Sequence, residues 1–291
     1  MERNGGLRLR GLNVSPLSAI GAAAALAAFA GNSLLCRAAL GGAAIDAATF
    51  SLVRFGSGAI ALLVVLRLTE RRPTLGGTWT SALVLFAYAV PFSYAYLTLP
   101  AGIGALLLFG SVQVTMMAVA LASGERPSGQ QWIGLTAAFS GLVYLTRPGL
   151  AAPPVVGCLL MIAAGAAWGA YSLLGRASVR PIAHTAGNFL RVSPLIAAAW
   201  LLDRPHWHVS SVGVALALVS GIVTTGLGYA IWYYVLPGLT ATRAAIVQVA
   251  VPVLAALGGV LVMNETVTMR LALSAVMVLG GVGLAVGSRD A

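Results

Sequence analysis

The chain contains no lysine and only seven acidic residues among 291, and charged side chains make up 8% of it. Soluble domains average about 25% charged residues, so this composition excludes a water-soluble globular fold. Hydrophobic residues make up 59% of the chain and its mean hydropathy is +0.93. The apolar runs are about 17 to 25 residues long, which is typical of membrane-spanning helices rather than barrel strands. The sequence therefore predicts an all-α integral membrane protein.

Cysteine is also scarce: Cys36 and Cys158 are the only two, and both fall inside apolar runs. Neither belongs to a metal or redox motif, so we expect buried thiols, no metal site and no cofactor. The seventeen basic residues are all arginine, and most of them lie near the ends of the apolar runs. The net charge of +10 therefore predicts a topology signal and no nucleic-acid partner.

No acidic side chain falls in the middle of an apolar run. The seven are Glu2, Asp46, Glu70, Glu125, Asp203, Glu265 and Asp290. Proton-driven carriers generally use an ionisable group inside the membrane, so this distribution favours facilitated transport or exchange over proton coupling. An intramembrane enzyme would need a Ser/His, paired-Asp or metal set at membrane depth, and the sequence has none. We therefore expect no catalytic residues.

The sequence repeats itself. Residues 27–38 return 139 positions later as residues 166–177, and Tyr96 and Glu125 have counterparts in Tyr233 and Glu265. A chain made of two mostly apolar copies is typical of membrane transporters.

Apolar runs and their Gly, Pro and Arg boundaries predict ten membrane-spanning helices. They lie near 16–38, 47–68, 78–97, 100–122, 130–146, 154–176, 183–202, 211–235, 240–262 and 269–287. The predicted organisation is an N-terminal tail 1–15, a first repeat 16–147, a linker 148–153 and a second repeat 154–291. Five helices per copy is an odd number, so the second copy enters the membrane inverted. Ten arginines against four favour cytoplasmic N- and C-termini.

These features resemble the drug/metabolite transporter superfamily. Ten helices in two sets of five, Glu125 and Glu265 after the fourth and ninth helices, and the pair Gly141 and Gly281 are similar to its ten-helix exporter branch, which includes bacterial aromatic-amino-acid exporters. The resemblance implies a basket-like bundle in the bacterial inner membrane. It also implies a central cavity lined by the first, third, fourth, sixth, eighth and ninth helices, with the fifth and tenth at the periphery.

Six side chains are candidates for binding a solute. They are Asn32, Tyr88, Gln113, Trp168, Tyr171 and Gln248. A buried amide is costly in hydrocarbon unless it is paired, so the amides should face the interior, where they bind a solute or join helices. The aromatic rings either stack on a solute or pack a core. Smaller four-helix relatives carry a glutamate in the first helix, where this chain has Asn32 and, in the second copy, Tyr171.

Four charged residues within or next to the spans are assigned structural roles. Arg54 and Arg191 lie about a third of the way into the second and seventh helices. They would attract a carboxylate, snorkel to the interface or cap carbonyls, and we favour the last two. Glu125 and Glu265 are expected to bond the N-terminus of the helix that follows each of them.

The sequence thus predicts an exporter of small neutral or zwitterionic solutes, chiefly aromatic and other hydrophobic amino acids, that works by alternating access. The alternatives are an exporter of other metabolites, drugs or organic cations, possible proton coupling, and a channel. The lipid bilayer and a small-molecule solute are the expected partners. The oligomeric state stays open, with a monomer preferred.

Overall fold

The computed structural model describes residues 16–122, 128–147, 152–176, 178–203, 207–235, 248 and 250–287. Within these ranges the chain forms ten helices and no strand beyond a single bridge between Ile45 and Val209. The helices are α1 (Pro16–Gly41), α2 (Ala47–Thr69), α3 (Trp79–Ala95), α4 (Ala101–Ala122), α5 (Gly129–Thr146), α6 (Val155–Arg176), α7 (Pro181–Leu202), α8 (Ser211–Val235), α9 (Ala250–Met263) and α10 (Met269–Gly287). The predicted tail 1–15, most of the linker 148–153 and the predicted beginning of the ninth helix lie outside the described residues.

Side-chain caps set several of the helix starts. Asp46 Oδ1 accepts a hydrogen bond from the Thr49 N–H at 2.8 Å at the start of α2. Thr78 and Ser210 cap α3 and α8 in the same way, and Ser128 forms a capping box at α5. These bonds satisfy N–H groups that have no partner within the helix. Apart from the start of α9, whose predicted beginning lies outside the described residues, the helix bounds agree with the predicted ones to within about three residues. The predicted all-α fold is confirmed.

The helices have the length and composition of membrane spans. Among the described residues, α1, α2, α6 and α8 are long and apolar enough to cross a bilayer, which takes about 20 residues. Several shorter helices, including α3 and α9, are similarly apolar. The protein is therefore an integral membrane protein.

Packing between the two halves has two-fold symmetry. α3 packs against α6 and its counterpart α8 packs against α1; likewise α4 packs against α6 and α9 packs against α1. The pairs α2–α7, α4–α9 and α5–α10 each join a helix to its own counterpart. Exchanging the halves leaves this pattern unchanged, as a pseudo-two-fold axis requires. Since each half has five helices, the exchange also reverses their direction, and the two repeats are inverted.

The α5–α10 contact shows the symmetry at the level of single atoms. A Cβ added to Gly141 of α5 would meet Met277, Val278 and the Ser274 carbonyl of α10. A Cβ added to Gly281 of α10 would meet the counterparts of these three residues on α5, each 140 positions earlier in the chain. They are Ala137, Ala138 and Gly134. The two helices lie at the edge of the bundle beside α4, as the resemblance implied.

The middle of α8 is widened into a π-helix over Ser220–Leu227. Here Gly221 lies so close to α2 that an added Cβ would stand 2.0 Å from Ser57 Oγ and 2.3 Å from the Arg54 carbonyl oxygen. The wide turn also directs the hydroxyls of Ser220, Thr224 and Thr225 towards α1 and α2. Single π-helical turns often occur at functional sites, and this one lies beside the centre of the bundle.

Candidate functional site

Five aromatic side chains from four helices meet at the centre of the bundle. We call them the aromatic cluster: Phe29 of α1, Tyr88 and Phe92 of α3, Trp168 of α6 and Tyr229 of α8. All five are buried. The Trp168 ring centroid lies 5.0 Å from that of Tyr88 and 4.9 Å from that of Tyr229, at tilted angles. These are separations at which aromatic rings attract one another.

A small cavity lies against this cluster. Its lining residues are Phe29, Asn32, Ser33, Tyr88, Phe92, Leu108, Phe109, Trp168 and Tyr229. They come from α1, α3, α4, α6 and α8, five of the six helices that the resemblance implied. The cavity volume is about 20 Å³, which is room for one water molecule. In this conformation the site is closed around its own side chains.

Asn32 is the polar centre of the cavity wall. Its Oδ1 accepts hydrogen bonds from Ser220 Oγ at 2.8 Å and from Thr224 Oγ1 at 3.3 Å, both in the π-helical part of α8. The carboxamide oxygen thus joins α1 to α8 by hydrogen bonds. The NH2 group of the same amide is the donor that a solute could bind. Both roles that the sequence left open for this amide, helix joining and solute binding, are compatible with its position.

Arg54 lies directly behind the cavity and is completely buried. Its Nη2 donates a hydrogen bond to the Tyr88 hydroxyl at 3.1 Å and its Nε donates one to Thr225 Oγ1 at 3.1 Å. The guanidinium carbon also lies 4.9 Å from the ring centroid of Phe92 and 5.0 Å from that of Phe55. A cation over ring faces is attracted by their electron density. Among the described carboxylates none pairs with this charge.

The snorkelling role expected for Arg54 is wrong. A snorkelling arginine keeps its guanidinium in water, whereas Arg54 turns its guanidinium inward to side chains of α3 and α8. Its counterpart Arg191 does have the expected capping role, since its Nη1 donates to the carbonyls of Gly76 at 2.7 Å and Gly187 at 2.9 Å. Both arginines lie at a similar depth along their helices, and only the packing of neighbouring helices distinguishes them.

Trp168 and Tyr171, predicted to share a face of the sixth helix, do so with ring centroids 5.7 Å apart. Trp168 lines the cavity, but Tyr171 is not among the lining residues. The Tyr171 hydroxyl instead accepts a hydrogen bond from Asn188 Nδ2 at 3.3 Å and so joins α6 to α7. Of the six candidates, Asn32, Tyr88 and Trp168 are therefore brought together, and Tyr171 stands behind them.

The two glutamine candidates do not line this cavity. Gln113 lies on α4, one turn beyond Phe109, with a buried Nε2 that has no hydrogen-bond partner among the described residues. Gln248 is buried, and most of the residues just before it lie outside the described ranges. The two amides remain candidates for solute binding that this conformation does not join to the cluster.

Leu108 and Phe109 line the cavity from α4 although the sequence did not single them out. They lie in a helix whose described residues 101–112 are all buried, so no alternation of polar and apolar positions marks the face that lines the cavity. Phe29, Phe92 and Tyr229 were recognisable as aromatic positions within spans, but not as members of one cluster.

Ion pairs occur at the ends of the bundle, away from the cavity. Glu265 lies 3.4 Å from Arg37 Nε and accepts the Ala101 N–H at 2.9 Å, so it caps α4 of the other half rather than the following helix α10. This corrects the helix expected for Glu265, while Glu125 lies outside the described residues. Glu70 pairs with Arg180 between α2 and α7. Within the described part of the chain, no three His, Cys, Asp or Glu side chains are grouped to hold a metal ion.

Comparisons with known proteins agree on one group. Residues 155–287 match the family model described as the EamA-like transporter family. An uncharacterized protein of Pseudomonas aeruginosa is 51% identical over 267 residues, which cover 91% of this chain and 93% of that protein. A solved crystal structure shares the fold with a TM-score of 0.66 at 21% identity, over 93% of this chain and 98% of the other.

Two more distant relatives from Escherichia coli (strain K12) have names that state a function. A probable amino-acid metabolite efflux pump is 25% identical over 222 residues, covering 68% of this chain and 74% of that protein. The threonine/homoserine exporter RhtA is 32% identical over 184 residues, covering 59% of this chain and 57% of the exporter.

Proposed function

The chain belongs to the EamA-like transporter family of the drug/metabolite transporter superfamily, and from this premise we propose that it exports aromatic and other hydrophobic amino acids. The solute binds at the aromatic cluster, in a protein of the bacterial inner membrane with both termini in the cytoplasm. The names of the two Escherichia coli relatives, an amino-acid metabolite efflux pump and a threonine/homoserine exporter, support an amino-acid solute.

The observation that carries this proposal is the composition of the cavity wall. Six aromatic side chains and one leucine line the cavity together with the amide of Asn32 and the hydroxyl of Ser33. Ring faces and edges bind an aromatic or aliphatic side chain by stacking and apolar burial. The few polar groups orient the charged end of an amino acid, as sparse polar groups do in most small-molecule sites.

The size of the cavity and the symmetry of the helix packing support alternating access. A cavity of about 20 Å³ is too small for any amino acid, so binding requires the surrounding helices to separate. Inverted repeats around such a site open it to one face and then, with the roles of the halves exchanged, to the other.

Transport by facilitation or exchange is supported by the positions of the acidic groups. Asp46 and Glu70 flank α2, Asp203 follows α7, and Glu265 lies between α9 and α10. None of these four described carboxylates lines the cavity. A proton-coupled mechanism would need a group that gains and loses a proton inside the membrane.

Organic cations are poorly suited to the same cavity. The buried charge of Arg54 lies one side chain behind its wall, and among the described residues no carboxylate offsets it there. A cationic solute would be repelled by a like charge in a low-dielectric interior.

Uptake into proteoliposomes tests the proposed function. We expect labelled Trp and Phe, and more weakly Met and Thr, to be taken up by vesicles that contain the purified protein. Preloading with unlabelled amino acid should accelerate this uptake several-fold, because a carrier returns faster when loaded. An imposed pH gradient should leave the rate unchanged.

Empty vesicles provide the background rate, and labelled choline serves as the cationic control solute. No uptake of any of the four amino acids would refute the proposed solute class. Uptake without acceleration by preloading would indicate a channel, and a strong response to the pH gradient would refute the facilitative mechanism.

A further inference from the structure

Arg54 is the only arginine whose side chain is fully buried among the described residues. The partners of its guanidinium are neutral: the Tyr88 and Thr225 hydroxyls, the Cys36 sulfur at 4.0 Å and the rings of Phe55, Tyr88 and Phe92. The two described ion pairs, Arg37–Glu265 and Arg180–Glu70, lie elsewhere. Within the part of the chain that the structure describes, this permanent positive charge therefore lies in the interior without an anion beside it.

Such a charge is costly to bury, and hydroxyls and rings offset only part of the cost. An anion that reaches it gains more than it would in water, because the interior screens the attraction poorly. Guanidinium has five N–H donors in a planar fork that fits the two oxygens of a carboxylate. Two hydroxyls and a weakly accepting sulfur leave part of this donor capacity unused.

The cavity gives an anion access to this charge. Tyr88 and Phe92 line the cavity on one side and contact the Arg54 guanidinium on the other. Tyr88 and Phe92 thus stand between Arg54 and a carboxylate in the cavity, and the carboxylate can displace the Tyr88 hydroxyl as the acceptor of the Nη2–H bond. The apolar part of the same molecule then lies among the rings of the aromatic cluster.

We propose that Arg54 binds the carboxylate of the transported solute and makes the site selective for aromatic and aliphatic carboxylates over their amides and amines. This inference rests on the proposed function in that the solute occupies the central cavity. Arg54 then determines specificity, and the empty site carries the charge that the solute neutralises.

The counterpart Arg191 provides an internal comparison. Its guanidinium donates hydrogen bonds to the backbone carbonyls of Gly76 and Gly187. The bond to Gly76 joins the α2–α3 connection to α7. The Arg191 guanidinium thus already donates to two carbonyls, and Arg191 is not one of the residues that line the cavity. A substitution at Arg191 removes the same charge without touching the proposed carboxylate site.

Binding to the purified full-length protein in detergent tests the inference with two matched pairs of ligands. Phenylalanine is compared with phenylalaninamide, and 3-phenylpropionate with 3-phenylpropionamide. We expect the wild type to bind each carboxylate at least tenfold more tightly than its amide. Arg54→Gln should reduce the preference to less than twofold, and Arg191→Gln should leave it intact.

A second variant, Thr225→Asp, tests the same inference if the Arg54→Gln protein does not fold. Thr225→Asp keeps Arg54 and supplies an internal carboxylate where the Thr225 hydroxyl now lies 3.1 Å from Nε. It should abolish the preference as Arg54→Gln does. A wild type without carboxylate preference, or a preference that survives in a folded Arg54→Gln or Thr225→Asp protein, overturns the inference.

The binding assay separates this inference from the proposed function, because it does not require transport. Phenylalanine uptake without carboxylate preference would leave the proposed function standing and refute the role of Arg54. The protein could instead bind 3-phenylpropionate through Arg54 and transport no amino acid. That result would support the role of Arg54 and refute the proposed function.

Discussion

Single side chains determine what the centre of the bundle can hold. Trp168 contacts the rings of Phe29, Tyr88, Tyr171 and Tyr229, so it joins residues of α1, α3 and α8 to its own helix. Each ring pair of this kind contributes about 0.5–1.5 kcal/mol beyond area burial. The same ring forms part of the cavity wall and is available to an aromatic solute.

Replacing this ring should therefore weaken solute binding. We expect Trp168→Ala to raise the KM for Trp and Phe about tenfold, which corresponds to about 1.4 kcal/mol, with a smaller effect on Thr. Trp200→Ala is the matched control, because Trp200 stacks on Trp207 at 4.1 Å and is not a cavity residue. Initial uptake rates over a range of concentrations measure both variants. An unchanged KM for Trp168→Ala would leave this residue a packing role only.

At the residue scale the sequence predicted some of the residues that line the cavity. Asn32, Tyr88 and Trp168 were predictable because a polar or aromatic residue deep in an apolar span is unusual. Arg54 was noticed and given the wrong role, because depth along a helix says nothing about which neighbours surround a side chain. Phe109 was missed because one phenylalanine in a uniformly apolar helix carries no signal, and its inward direction depends on how α4 packs.

Helices pack closely here through glycine. On α6, Gly165 and Gly169 stand one turn apart and both face α4. A Cβ at Gly165 would lie 2.5 Å from the Leu108 carbonyl oxygen and 2.7 Å from Ser111 Cβ. Small residues spaced four apart allow such close approach in membranes, and here they bring Trp168 of α6 close to Leu108 and Phe109 of α4.

Adding a single methyl group to α6 should show that the stability of the protein depends on this close packing. Gly165→Ala is expected to destabilise the protein by about 1–3 kcal/mol, because the added carbon collides with a backbone carbonyl. Gly56→Ala is the control, since a Cβ at that helical position meets nothing within 4 Å and alanine favours the helix. Midpoints of thermal unfolding in detergent measure the difference. A midpoint for Gly165→Ala equal to that of Gly56→Ala would contradict the close packing described for α6.

Most helix bounds were predictable to within about three residues, because long apolar runs and their Gly, Pro and Arg boundaries mark them in the sequence. The side-chain caps Asp46, Thr78, Ser128 and Ser210 were found in the structure. The π-helical turn of α8 was not predictable, because Ser220–Leu227 has the composition of an ordinary apolar helix. Its contacts with α1 and α2 favour the wider turn, and those contacts belong to the tertiary structure.

At the scale of the whole molecule, symmetry relates parts that differ in chemistry. The frame is shared: α5 and α10 contact each other through Gly141 and Gly281 with matching neighbours. The centre is not shared, since Phe29 faces Trp168 and Asn32 has Tyr171 as its counterpart. The repeat in the sequence predicted the frame, while the differences between the copies mark the residues at which we propose that the solute binds.

Symmetry predicts paired effects of substitution. Gly141→Leu and Gly281→Leu should each lower the midpoint of thermal unfolding, by similar amounts, since each side chain meets residues at equivalent positions of the opposite helix. Gly280→Leu should have little effect, because a Cβ there meets nothing within 4 Å. A large decrease for only one of these two substitutions would contradict the symmetry of the α5–α10 contact. The preference for carboxylates, measured as above, should not change in any of the three.

The narrow centre of the bundle also bears on ions. Protons cross a membrane along unbroken files of hydrogen-bonded water, and a space of about 20 Å³ holds a single molecule. Aromatic rings and one leucine make up most of the wall of that space beside Asn32 and Ser33, so we expect no continuous file of water to extend from it. We therefore expect a membrane that contains many copies of the protein in this conformation to keep the voltage across it.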